Sequence, residues 1–187
     1  NITAKLLNEV HHDVKIEPSL QPLTVENLPI HSNTSEEARL DISARGFWIT
    51  GQMAFCDVRV FNPLAKRYSN LKLAKCYVIN ENEKKKAYNS RILQVEHGTL
   101  TPLVFSATGG MGRECKKFYK RLSEKISDKR GVEISKISAW IHRKISFALM
   151  RTAHMCIRGS RGLIYHRDHS TEHMELDPEA SELSAKI

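Results

Sequence analysis

Long apolar runs are missing from this 187-residue chain. None approaches the roughly 18 residues that a bilayer-spanning helix needs, and the first residues show no signal-peptide pattern. The expectation is a soluble protein of the nucleus or cytoplasm with no membrane partner. Cysteine is scarce and scattered, at Cys56, Cys76, Cys115 and Cys156, which gives neither a zinc-type CxxC pair nor a disulfide framework. Reduced thiols, some of them core residues, are expected instead. The glycine-rich stretch ATGGMGR (107–113) lacks the Lys-Ser/Thr of a P-loop. It is read as a strand-to-helix turn whose backbone amides, with Arg113, could touch a nucleic-acid phosphate. A starting methionine is also missing: the chain opens at Asn1 and runs at once into a helical pattern, as a piece cut from a longer polypeptide would.

Charge, by contrast, is plentiful and unevenly placed. The net charge of +8 divides into 5 basic and 8 acidic residues over 1–65, 23 and 7 over 66–167, and 1 and 6 over 168–187. The strongly basic middle calls for a polyanion or a very well solvated surface, and nucleic acid is the usual partner because each phosphate contact releases counterions. At 41% hydrophobic and 27% charged the composition is globular. One domain is expected over 1–165, with a core at about 3–112 and C-terminal helices over 113–158. The acidic stretch 166–187 has too little apolar content to fold and is expected to be a disordered tail.

Periodicity supplies the elements. Ile2, Leu6, Val10 and Val14 recur at helical spacing, with Glu9 near that apolar face. A proline-rich segment and a polar loop follow, then two alternating runs, ARLDISA and AFCDVRVFNP, joined as a β-hairpin that turns near Ile49 with Gly51 available. A helix is predicted from Asn80, its N-cap, with Glu81 and Glu83 in the first turn. TLTPLVFSATGG fits a buried strand. Helices are expected over GRECKKFYKRLSEKISDKRG, stopping at Gly131, and over the run that places Ile134, Ile137, Ile141, Ala148 and Met155 on one side. The class is α/β or α+β with a small mixed sheet flanked by helices.

An aspartate sits in each arm of the hairpin. The period of two puts Phe55, Asp57, Arg59 and Phe61 on one face of the second strand, with Asp57 and Arg59 about 7 Å apart. A turn near Ile49 brings Asp41 almost opposite Asp57. Opposed carboxylates repel and resist ionising unless a cation neutralises them. Mg²⁺ suits this role, since it is commonly held by one or two carboxylates together with waters and phosphate oxygens. The bland alternative is an ion pair of Asp41 with Arg39 or Arg59 and no active site. The two carboxylates, Glu9 before them and a basic helix after them are the parts that phosphodiester hydrolysis requires.

This order of elements and acids resembles the restriction-endonuclease-like PD-(D/E)XK nucleases. The phrases LLNEVHHDVKIEPSLQPL, ARLDISARGFW, AFCDVRVFNP, EKKKAY, VEHGTLTPLVFSATGG and CIRGSR resemble retroelement-associated proteins of invertebrate genomes, found beside or downstream of reverse transcriptases. The likeness spans most of residues 3–161. It implies a Mg²⁺- or Mn²⁺-dependent endonuclease core of αβββαβ topology acting on DNA, or on RNA, with an upstream reverse transcriptase possible in the same polypeptide. Asp41 matches the motif aspartate, although Leu40 stands where the motif has proline. Asp57 matches the second acid, and Glu9 the helical acid that some members use as an outer metal ligand. Arg59 replaces the motif lysine; it can orient phosphate but cannot act as a base. Lys85 or Lys86 would supply the missing lysine. Arg91, Arg113, Lys116, Lys117, Lys120, Arg158 and Arg161 are the candidate nucleic-acid contacts.

Three other readings stand beside the nuclease: a catalytically silent nucleic-acid-binding module on the same scaffold, an RNase H-like nuclease or integrase, and a structural or assembly domain. Glu96 and His97 are adjacent, so a strand would point them to opposite faces; a loop or cap role is favoured over metal ligation. Trp48 and Trp140 are expected to pack rather than stack on bases.

Overall fold

The first helix, α1 (Ile2–Asn8), begins at Asn1, whose side chain accepts hydrogen bonds from the amides of Thr3 and Ala4 and so satisfies donors that a helix start leaves free. It buries Ala4, Leu6 and Leu7 and ends at Glu9. The helical spacing of Val10 and Val14 is misleading. The Val10 and His11 amides both turn back to the Leu7 carbonyl, and Val14 opens a strand, β1 (Val14–Ile16), paired with Ala44 of the next one. Sheet pairing outweighs a periodicity that the local chain could have continued. A computed structural model describes residues 1–158, the last three by their backbone alone; the expected acidic tail and Arg161 lie outside the described residues.

Strands β2 (Ile42–Arg45) and β3 (Met53–Phe61) form the expected hairpin, and β4 (Thr99–Ser106) lies parallel to β3. The four-stranded sheet is open and mixed, in the order β1-β2-β3-β4. Its hairpin turn is bounded by Gly46 and Gly51, at φ of 75° and 81°, conformations that glycine adopts at little steric cost. Between β3 and β4 runs α2 (Leu73–Gln94), the crossover helix that a parallel pair requires. Its N-cap is Lys72, eight residues before the expected one, so Asn80 is a buried mid-helix residue. Two helices close the described chain, α3 (Arg113–Arg130), stopped by Gly131 in the left-handed conformation, and α4 (Ile134–Arg158).

Helices cover both sides of the sheet. Ile42, Ala44, Cys56, Leu103 and Phe105 on one face pack with Leu6 and Leu7 of α1, Phe118, Leu122 and Ile126 of α3, and Ile137, Ile141 and Ile145 of α4. Of the side expected on α4, Ile134 and Met155 are exposed, and Ile145 takes their place in the core. The other face lies under α2, and its apolar contacts fall into two separate groups: Leu20, Ala38, Leu40, Phe55 and Ile92, and Phe61, Tyr68, Cys76 and Val104. Each large side chain so buried contributes about 1.5–3 kcal/mol. Between Phe55 of one group and Phe61 of the other, β3 carries Asp57 and Arg59. The apolar layer under α2 is therefore broken in the middle by charge.

Candidate active site

The ladder of β2 and β3 pairs Ile42 with Cys56, so one further step outward sets Asp41 against Asp57. Asp41 accepts the Val58 amide on its Oδ2 at 2.6 Å, which anchors its carboxylate to the neighbouring strand. Asp57 is buried, at 6% exposure. Its carboxyl is pushed up to about 6, first by burial and then by its hydrogen bond to, and repulsion from, Asp41; Lys84 pulls the other way. The Lys84 ammonium lies 2.7 Å from Asp57 Oδ2. The contact is a close, buried ion pair between α2 and β3.

Lysine does reach the carboxylates from α2, but it is Lys84 and not Lys85 or Lys86. Three consecutive lysines on a helix point about 100° apart, so only one can face the sheet. Lys85 turns outward to Glu114, 3.5 Å away, and Lys86 is exposed. Arg59 shares the Asp57 face as expected, yet it is held by Glu83 at 2.8 Å, and Glu83 also binds Arg67 at 2.5 Å. Glu83 is kept below the usual carboxylate range by the two arginines, which outweigh its partial burial. The alternative pairing of Asp41 with Arg39 or Arg59 is not formed.

Glu9 is not part of this group. Its carboxylate pairs with Arg130 at 2.5 Å and its carbonyl accepts from Lys129. Asn1, Ile2 and Thr3, at the other end of α1, border a cleft of about 290 Å³ together with Asp41; Glu9 lies roughly 10 Å further along the helix axis. Among the described residues no three His, Cys, Asp or Glu side chains gather as a metal cluster.

Arg91 is fully buried and cannot touch nucleic acid. Its guanidinium donates to the carbonyls of Gln21, Asn33 and Ser35 at 2.8–3.0 Å, clamping the loop before β2 onto α2. Arg113, Lys116, Lys117 and Lys120 are exposed on the outer side of α3, opposite the buried Cys115, Phe118, Tyr119 and Leu122. Their spacing places them in one stripe. Arg158 ends α4, where its side chain is outside the described set.

The glycine amides of the turn are spent internally. Gly110 donates to Ser106 Oγ, Gly112 to the Val104 carbonyl, and Glu114, in the first turn of α3, to Glu81 Oε1. The buried Glu81 carboxylate thus occupies the place where a phosphate was expected, and a Cβ at Gly112 would collide with it. Glu96 accepts the Gln21 amide at 2.6 Å and His97 sits at φ 49°, a loop role for both. Trp48 packs on the core and donates to Thr101 at 2.8 Å, while Trp140 is flanked by Arg130 and Lys144. Cys56, Cys76 and Cys115 are free and buried, and burial pushes the Cys56 and Cys115 thiols up, away from reactivity.

Lys84, Glu83 and Glu81 were not singled out for these roles by sequence. For Lys84 the signal was present in EKKKAY but did not say which lysine faces inward. Comparisons with protein-family models, curated proteins and solved structures return no match.

Proposed function

We propose that this chain is an endonuclease-like domain that hydrolyses phosphodiester bonds in DNA with the help of Mg²⁺ or Mn²⁺. The observation that carries the reading is the group formed by Asp41, Asp57 and Lys84: two carboxylates brought together across antiparallel strands, one of them buried, and an ammonium 2.7 Å from it. The element order α1, β1, β2, β3, α2, β4 agrees with the αβββαβ order of the restriction-endonuclease-like fold, with both acids on the expected hairpin. A mobile-element origin rests on the sequence resemblance alone.

The donor set fits a divalent cation. Two carboxylates are enough for Mg²⁺, and Asp41 and Asp57 stand opposite each other one step beyond the Ile42–Cys56 pair. Asp41 and Asp57 would hold it, and its chemistry would be to polarise the phosphate and acidify a water. Lys84 supplies the amine that Arg59 cannot, able to offset charge on the phosphate or to exchange a proton. Arg59, tied to Glu83, keeps β3 and α2 in register beside it. The exposed stripe of α3 offers cations to the rest of the strand.

The silent binding module is the second reading, favoured by the removal of Glu9 from the acids. Supercoiled plasmid incubated with Mg²⁺ or Mn²⁺ separates the two. Nicking by the wild type, lost in Asp41→Asn, Asp57→Asn and Lys84→Gln variants of unchanged circular dichroism, is expected. Salt-sensitive binding without nicking would sink the nuclease and leave the module.

A further inference from the structure

The outer side of α2 carries a second cluster. Lys85, Lys86, Asn89 and Ser90, with His31 and Pro29 from the loop before β2, line a shallow pocket of about 310 Å³. At about 100° per residue these four α2 positions centre on the side of the helix away from Lys84. The pocket is therefore separate from the carboxylates by the thickness of a helix, about 10–12 Å.

The residues that line it carry two ammonium groups, an imidazole, a carboxamide and a hydroxyl, all able to donate hydrogen bonds, and no carboxylate is among them, while most of the lining surface itself is apolar. The nearby acid in contact is Glu114, which meets only Lys85 and at the long distance of 3.5 Å; Lys86 has no acidic partner among the described residues. The wall opposite the helix is held in place rather than loose. The Asn33 amide donates to the Ala87 carbonyl at 2.7 Å, the Asn33 side chain to Tyr88 Oη at 3.2 Å, and buried Arg91 grips the Asn33 and Ser35 carbonyls. Arg91 thus acts through the loop, fixing the segment that brings His31 to the lysines.

We infer that this pocket binds a backbone phosphate of the nucleic-acid strand, away from the scissile bond, with Lys86, His31, Asn89 and Ser90 as its donors and Arg91 as the positioning residue. The inference rests on the nucleic-acid reading of the protein. A phosphodiester is the ligand because every polar side chain of the pocket is able to donate, none of them is negatively charged, and the lysines supply the countercharge. A contact at this distance from the chemistry sets how the strand lies across α2, so it acts on binding and not on the bond-breaking groups.

The test is fluorescence anisotropy with a short labelled single-stranded DNA in EDTA, over a range of salt, on the wild type, Lys86→Gln/Asn89→Ala, His31→Ala and Lys117→Gln, all matched for melting temperature. A decrease of about tenfold in affinity in the double variant is expected. Its log K against log salt should be shallower by about 0.7 for each phosphate that is no longer neutralised. Wild-type affinity and slope in both pocket variants, with Lys117→Gln weakened, would overturn the pocket and leave the function standing. A parallel NMR titration with inorganic phosphate separates the other case. Shifts at His31 and Asn89 from a protein that does not bind DNA would keep an anion site but overturn the nucleic-acid reading. No response to DNA or phosphate would overturn both.

Discussion

Asp57→Asn is the most informative single change, because burial and the Asp41 carboxylate act on Asp57 in the same direction. Its carboxyl titrates at about 6 in the folded chain against an ordinary 3.8. At about 1.4 kcal/mol per pH unit this difference is on the order of 3 kcal/mol. The folded state holds the proton more tightly than the unfolded state. The stability linked to Asp57 is therefore fully present below about pH 4, declines between about 4 and 6, and is lost above. Asparagine keeps the shape and removes the charge. The variant should match the wild type near pH 4 and exceed it at pH 8, by up to about 3 kcal/mol. For a chain of this size each kcal/mol moves the melting temperature by about 2–4 °C. Lys84 loses its partner in the variant, but its side chain is 23% exposed and can be hydrated, so this loss is the smaller effect.

Thermal unfolding followed by circular dichroism in EDTA, at intervals from pH 4 to 8, is the assay. Titrations common to both proteins cancel in the difference. The same scan with Mn²⁺ at pH 8 should raise the wild type, whose paired carboxylates are then neutralised, and leave Asp57→Asn where it was. A variant that is less stable than the wild type by the same amount at pH 4 and pH 8 would refute the reasoning: the carboxylate would then be a satisfied half of an ion pair, with no unmet demand for a cation.

Lys84→Gln removes the one group that lowers the Asp57 carboxyl, so the acid-to-neutral decline in stability should grow and move to higher pH; an unmoved profile would show that Lys84 does not govern Asp57. Arg91→Ala strips three carbonyls of their donor inside the protein and should cost at least about 3 kcal/mol in urea unfolding. Arg91→Lys should recover little of it, since an ammonium cannot span the same fork. Gly112→Ala drives a methyl group into the Glu81 carboxylate and should destabilise by about 1–3 kcal/mol; in a Glu81→Ala background the added cost should shrink, and additive losses in the double-mutant cycle would show that the two do not meet.

Much of the site was legible because the hairpin obeys a strict period of two. Once Gly46 and Gly51 close the turn, pairing Ile42 with Cys56 follows, and Asp41 and Asp57 come together. Gly131 likewise marked the end of α3. What could not be read is concentrated on α2. Its inner side presents Asn80, Glu81, Lys84 and Arg91, polar groups that a hydrophobic pattern counts as surface, so the N-cap was placed at Asn80 instead of Lys72. Arg91 could not be told from a surface cation, because its acceptors are backbone carbonyls, which any sequence supplies.

These misreadings share a cause. The sheet under α2 is itself interrupted by Asp57 and Arg59, and a helix that packs there must answer charge with charge, through Lys84 to Asp57 and Glu83 to Arg59. Amphipathic periodicity therefore fails on the helix that faces the candidate site. A chain with a purely structural sheet would gain from filling this gap between two apolar groups with further aliphatic side chains, since buried ion pairs are often no more stabilising than well-packed hydrophobic residues. Under the proposed function the two carboxylates kept in that gap, one of them pushed up to about 6 chiefly by burial, are the groups that would hold the cation.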